Sequence, residues 1–208
     1  MYTDAKTHYD KLIDEGNDPV HDSEPLKKYM DKWDGQQFID DLQLSGKEAV
    51  LEIGVGTGRL AIKVCGKCSE FYGIDISSKT IEAAKKNLSQ YNNVHLICHD
   101  FLEWKTDADF DVIYSSLAFL HIKDKEKAIE KTYMLLNQYG RFILSIDKSQ
   151  DSEIVYDARK LKTYPDNVEN IKRLLNGSGF TIKKQYETEF AYIFVSVKLQ
   201  EVPTRCAE

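Results

Sequence analysis

No apolar stretch in this chain approaches the roughly 18 residues needed to span a bilayer. The start, Met1-Tyr2-Thr3-Asp4, lacks the basic and apolar regions of a secretory signal. The expected setting is the cytoplasm. Basic charge is short too: 28 Lys and Arg stand against 34 Asp and Glu, a formal net charge of -6. Without a strong positive field little attracts a phosphate backbone, so nucleic acid is not an expected partner, a local patch aside. Cysteines number four, Cys65, Cys68, Cys98 and Cys206, and with no export signal they are read as reduced thiols. The pair Cys65-Gly66-Lys67-Cys68 has no His or second Cys pair nearby in sequence to complete a zinc set. It falls at a predicted helix end, whereas a redox pair opens a helix, where the dipole lowers the thiol pKa. The pair is therefore read as structural and no metal is expected. Internal repeats and low-complexity tracts are absent.

What the chain does have is alternation. From Leu51 onward, strand-like apolar runs alternate with amphipathic segments, the pattern of a parallel sheet covered on both faces. Strands are predicted at 48–53, 70–75, 94–98, 110–115 and 140–146, and helices at 60–64, 78–90, 124–137 and 167–177. The runs 180–186 and 190–198, joined by Glu187-Thr188-Glu189, read as a hairpin. At 208 residues the chain suits one α/β domain with an appendage. Residues 1–45 stand outside the alternation, with short amphipathic helices at 8–13 and 26–33. They form either a lid or a cover for one side of the sheet.

The segment Glu52-Ile53-Gly54-Val55-Gly56-Thr57-Gly58-Arg59 sits where the first of these strands must turn into a helix. Its glycines permit positive φ and let a ligand approach the backbone. The helix that follows directs free N–H groups and its positive dipole end toward that ligand. A dinucleotide fingerprint needs its third glycine at position 59, which here is Arg. That argues against a nicotinamide oxidoreductase. Asp75 ends the next strand 21 positions after Gly54, near the spacing of a carboxylate that accepts from both ribose hydroxyls. Its alternative role is to cap the following helix, which Ser77 or Ser78 can also do.

Glycines at every second position, preceded by an acid, resemble the nucleotide-binding loop of class I S-adenosylmethionine (SAM) dependent methyltransferases. The resemblance covers about residues 46–198. It implies an α/β, Rossmann-like, doubly wound and mostly parallel seven-stranded sheet with a C-terminal antiparallel hairpin. Residues 46–208 would form this domain and 1–45 an N-terminal helical lid or cap. It also implies SAM as the cofactor, with Glu52 near the methionine ammonium or the loop backbone and Gly54, Gly56 and Gly58 lining the pocket. Asp100 would accept from the adenine amine, Phe101 or Ile76 would pack on the ring, and Ser115 would stand near the donor methyl. Asp100 as a plain loop acid is the competing view.

The chain lacks the Asn/Asp-Pro-Pro-aromatic segment and the Pro-Cys nucleophile of nucleobase methyltransferases, and Ser115 supplies no carboxylate for magnesium. The acceptor is therefore read as a small molecule. His121, just past the fourth strand, could take a proton from it. The arrangement is similar to small-amine methyltransferases of this superfamily, with Tyr9 as partner. Otherwise His121 bonds a loop or merely packs there. The leading reading is a methyltransferase working by in-line displacement, and the alternative is a SAM-binding protein without turnover.

Overall fold

The computed structural model describes residues 2–199, so Cys206 lies outside the described residues. Strand β1 (Tyr2–Thr3) leads into helices α1 (Ala5–Asp14), α2 (Glu24–Met30) and α3 (Gly35–Asp40). Then come β2 (Ala49–Ile53), α4 (Ala61–Val64), β3 (Glu70–Asp75), α5 (Ser78–Asn87), β4 (Val94–Cys98) and β5 (Phe110–Ser115). A short 3₁₀ turn (Phe119–His121), α6 (Lys125–Leu135) and β6 (Leu136–Asp147) follow. The chain closes with β7 (Glu153–Tyr156), β8 (Arg159–Lys162), α7 (Val168–Gly177), β9 (Phe180–Glu187) and β10 (Ala191–Lys198).

Seven strands form the main sheet in the order β4-β3-β2-β5-β6-β10-β9. β4 through β6 pair in parallel, and β10 runs antiparallel to both β6 and β9. This is the doubly wound α/β sheet with a terminal hairpin that the resemblance implied. Successive side chains of a strand point to opposite faces. Val50, Val112 and Ile143 accordingly enter one core, while Leu51, Ile113 and Phe142 enter the other. Both faces are apolar and both are covered, as a parallel sheet requires.

Several stretches differ from expectation: ahead of the main sheet β1 and α3 were not predicted, and the helix expected at 26–33 is α2. The helix predicted to reach Asn137 stops at Leu135, and β6 starts at once, with Leu136 opposite Phe110. Tyr139 at φ +64 and a register shift on β5 absorb the junction that a loop would otherwise make. Helix α5 ends at Asn87 rather than near residue 90, where the Asn87 amide donates to Asp18 and to the Thr57 carbonyl, each at 3.0 Å. Strands β7 and β8 were not predicted. They turn through Asp157 at φ +50, and β8 pairs with β1, Tyr2 opposite Lys160.

Candidate active site

The ends of β4, β3, β2 and β5 lie side by side, and the segments that leave them line one cavity of about 550 Å³. That volume suits a small-molecule or cofactor site. At its floor the glycine bend is stitched to β3, because Gly54 N and Val55 N both donate to the Ile74 carbonyl at 2.8 and 3.1 Å. Gly54 has φ +79, and a Cβ there would stand 2.3 Å from Ala118 Cβ. Gly56, at φ +57, has open space where a Cβ would point, so its backbone is reachable from the cavity. Thr57 is 5% exposed and its Oγ1 is buried without a hydrogen-bond partner among the described residues. A buried hydroxyl of this kind calls for a ligand or water. The sequence reading passed over it, although it stands inside the glycine segment.

Asp75 faces this bend. Its Oδ2 accepts from Gly56 N at 3.0 Å and its Oδ1 from Ser77 N at 2.9 Å. A carboxylate has about four acceptor sites, so roughly two stay open. Burial raises the Asp75 carboxyl pKa, opposed by the bonds from Ser77 and Gly56. The helix-capping role belongs to Ser77, whose Oγ accepts from Thr80 N at 3.1 Å. Beyond Asp75 along the row stand Ile76, Asp100 and Phe101, all lining the cavity. Asp100 Oδ1 accepts from Leu102 N at 2.7 Å, which shapes the loop after β4. Ile76 is exposed, whereas Phe101 is buried in one core.

Toward β5 the lining changes character. Glu52 is buried, accepts from Tyr114 Oη at 2.8 Å, and has its pKa pushed up to about 8. Burial is the main cause, and the Tyr114 bond and nearby Arg59 oppose it. Arg59 donates to Asp34 through both arms of its fork, at 3.1 and 2.5 Å. Ser115 does not reach the cavity: it is fully buried and its Oγ donates to the Ile53 carbonyl at 2.8 Å. Strand alternation turns it away from the cavity, and its neighbour Ser116 lines the cavity instead. Gly58 also stands back, packed within 3.3 Å of Leu88 by its hypothetical Cβ. The other sequence-selected donor residues, Glu52, Gly54, Gly56, Asp75, Ile76, Asp100 and Phe101, all line the cavity.

Tyr9 and His121, 112 positions apart, meet there. Tyr9 Oη lies 2.7 Å from His121 Nε2, and both line the cavity. Burial holds His121 down to about 4, with His8 and Lys125 adding to the effect. Burial also raises the Tyr9 phenol, as does Asp75. The pair is thus uncharged near neutral pH, and a neutral imidazole that bonds Tyr9 through Nε2 as acceptor carries its proton on Nδ1. The His121 segment is pinned to Tyr164, whose N donates to the Leu120 carbonyl at 2.8 Å. Leu117 adopts φ +58, an uncommon conformation for a non-glycine residue, at the turn between β5 and His121.

Cys65 and Cys68 take the structural place expected of them. Both are buried, and burial pushes the Cys68 thiol up to about 11 and Cys65 higher. Raised thiols are poor nucleophiles and metal ligands. No helix among the described residues is long and apolar enough to cross a membrane.

Seven strands in this order, a glycine bend after the first strand of the row and an acid at the end of the next define a class I SAM-dependent methyltransferase fold. Comparison with solved structures agrees. The magnesium protoporphyrin IX methyltransferase of Synechocystis, solved with SAM bound, superposes with TM-score 0.70 at 19% identity, covering 93% of this chain and 96% of that one. The N-methyltransferase NodS of Bradyrhizobium japonicum, in complex with S-adenosyl-L-homocysteine, gives TM-score 0.68 at 17% identity over 92% and 98%. In sequence, an uncharacterized methyltransferase of Anoxybacillus flavithermus is 30% identical, over 83% of this chain and 88% of the relative. Residues 44–194 match the methyltransferase domain family, and the chain belongs to that family.

Proposed function

We propose that this protein transfers a methyl group from SAM to a small-molecule acceptor. The observation that carries this reading is the Tyr9–His121 contact of 2.7 Å on the wall of the cavity that the glycine bend and Asp75 floor. The residues present fit the donor. Gly56 leaves its backbone open, Asp75 keeps acceptor sites for two ribose hydroxyls, and the buried Thr57 hydroxyl awaits a partner. Asp100, which lines the same cavity, would accept from the purine amine, and Phe101 or Ile76 would pack on its ring.

When bound, SAM supplies a methyl group already activated by its sulfonium. What remains for the chain is to orient the acceptor in line and to exclude water. The neutral His121 and Tyr9 serve that task without placing a second cation beside the sulfonium. With Tyr9 as the donor to His121 Nε2, the phenol oxygen is left to accept from an acceptor hydroxyl or amine. The pair then takes part in holding or moving that proton. Segment 1–45 acts as a cap that brings Tyr9 to the site, and the setting is cytoplasmic, in keeping with reduced Cys65 and Cys68.

The test is calorimetric titration with SAM and S-adenosyl-L-homocysteine, followed by incubation with SAM and fractionated metabolite extract. Donor binding with formation of S-adenosyl-L-homocysteine in particular fractions is expected. No donor binding ends the proposal, and binding with no turnover in any fraction leaves a protein that only binds the donor.

A further inference from the structure

A second cavity, of about 280 Å³, lies next to the donor site and is separate from it. Phe119 and Leu120 of the 3₁₀ turn line the second cavity, His121 of the same turn lines the first, and Tyr164 reaches both. The turn and Tyr164 are thus the partition. The rest of the wall comes from the end of β6, from β7 and from residues 163–166 ahead of α7. Ile146, Ile154 and Pro165 join Phe119 and Leu120 as its apolar lining. An apolar hollow with a few polar groups is the usual form of a ligand site.

Asp166 is the polar group that sets its chemistry. The Asp166 side chain is 7% exposed and lines the cavity. Its Oδ1 accepts from Asn167 N at 2.8 Å and from Asn170 Nδ2 at 2.9 Å. Its Oδ2 receives no hydrogen bond from the described residues, and Lys125 Nζ, the cation that faces it, stands off at 4.0 Å. Lys125 is turned elsewhere: its Nζ donates to the Tyr164 and Ile122 carbonyls, at 2.5 and 3.1 Å. A buried carboxylate oxygen without a donor is costly to keep. Here the donor has a cavity to stand in.

The other acids of the lining differ in what they have left. Asp147 has a donor on each oxygen, Trp33 Nε1 at 2.8 Å and Ser149 N at 2.6 Å. Glu153 is paired with Lys160 at 2.6 Å and accepts from Tyr2 Oη at 2.5 Å. Asp151 takes one side-chain bond, from Ser149 Oγ to its Oδ2 at 2.7 Å, and its Oδ1 stays open. With Glu153 neutralised by Lys160, the carboxylates of Asp147, Asp151 and Asp166 share this cavity with a single lysine, Lys125. Open acceptors and a negative balance both select a ligand that donates hydrogen bonds and carries positive charge. A carboxylate ligand would meet charge of its own sign.

We propose that this cavity is a second binding site, for a small organic amine whose ammonium binds Asp166 with help from Asp151 and whose apolar body packs on Phe119, Leu120 and Ile154. The site is distinct from the acceptor's place beside Tyr9 and His121, and it does not rest on the donor reading. Its occupant lies against the turn that carries His121.

The experiment titrates the full chain with 2-phenylethylamine and, as controls with the same body, 2-phenylethanol and 3-phenylpropionate. The amine should bind about tenfold more tightly than either control, and saturating S-adenosyl-L-homocysteine should leave its affinity unchanged. Asp166→Asn should weaken the amine about tenfold and Asp151→Asn, at an exposed position, about threefold. Neither variant should change the controls. Absence of amine binding, equal binding of 3-phenylpropionate, displacement by S-adenosyl-L-homocysteine, or wild-type affinity for the amine in either variant overturns the proposal. Methylation of the amine on incubation with SAM also overturns it, because the amine would then stand beside the donor. Should Asp166→Asn fail to fold, Asp151→Asn decides alone. A protein that binds the amine but no S-adenosyl-L-homocysteine defeats the donor reading and leaves this site standing.

Discussion

Asp10 Oδ1 accepts a hydrogen bond from Ser77 Oγ at 2.7 Å, across 67 positions of sequence. It also accepts from Lys79 N at 3.2 Å, so a residue of α1 caps the start of α5. Ser77 N in turn bonds Asp75, and the residue before Asp10 is Tyr9, in contact with His121. One turn of α1 therefore touches both halves of the site. Asp10→Ala should destabilise the fold by about 0.5–2 kcal/mol, the value of a lost cap. It should also lower turnover more than donor affinity, because Tyr9 loses its anchor. Denaturant unfolding and steady-state kinetics check the two parts, and unchanged turnover would contradict the coupling.

Asp75→Ala should weaken SAM binding by about 1–3 kcal/mol, through lost charge-assisted hydrogen bonds and a Gly56 N left without its acceptor. Calorimetry reads this directly. A dissociation constant equal to wild type would remove Asp75 from the donor site.

Gly54→Ala places a Cβ 2.3 Å from Ala118 on a backbone at φ +79. Strain of order 1–3 kcal/mol is expected for such a conformation before the clash is counted. The variant should melt lower and bind donor poorly. Gly56→Ala, where the Cβ meets nothing within 4 Å, should keep more of its stability while still impairing donor binding. A thermal melt of each variant separates the two cases.

His121 titrates near 4 in the folded protein, below the 6.5 of the free side chain. Its folded pKa is depressed, so its contribution to stability is full above 6.5 and is lost as pH falls through 4. Turnover should therefore show no break near pH 6.5 from this group. His121→Ala should cut turnover and leave SAM affinity close to wild type. A pH profile of kcat with an inflection at 6.5 would mean that His121 is solvated and free during turnover.

Glu52 moves the opposite way, from 4.5 up to about 8. Between those values the folded state holds a proton that the unfolded state has released. Its contribution is fully present below 4.5 and disappears as pH rises through 8. Glu52→Gln should flatten the fall in melting temperature across that window. An identical slope in the variant would show that Glu52 is ionised in the fold.

Short-range rules carried a large part of this protein in its sequence. Apolar runs such as Val50-Leu51 and Val112-Ile113, alternating with amphipathic segments, are a property of neighbouring residues, and they foretold a sheet buried on both faces. The glycine bend was legible for the same reason, since positive φ at Gly54 and Gly56 follows from the absence of a Cβ. Asp75 and Asp100 stand at or just past the ends of strands that could be recognised locally, and both line the cavity. Alternation also shows why Ser115 was misplaced: one step along β5 exchanges the cavity for the core, and strand ends are read to no better than a residue or two.

Tertiary structure alone decided the rest. That Asp34 saturates its acceptor sites on Arg59, Ser116 and Gly35 and that β1 lies beside β8 are contacts between distant segments, as is the meeting of Tyr9 with His121, which only the family resemblance had suggested. Their formation depends on how α1 and α3 pack on a finished sheet, a global balance to which no local pattern corresponds. The pKa values follow the same division. Residue type sets the starting value of Glu52 and His121, and burial, which exists only once the chain has closed around them, moves one up and the other down.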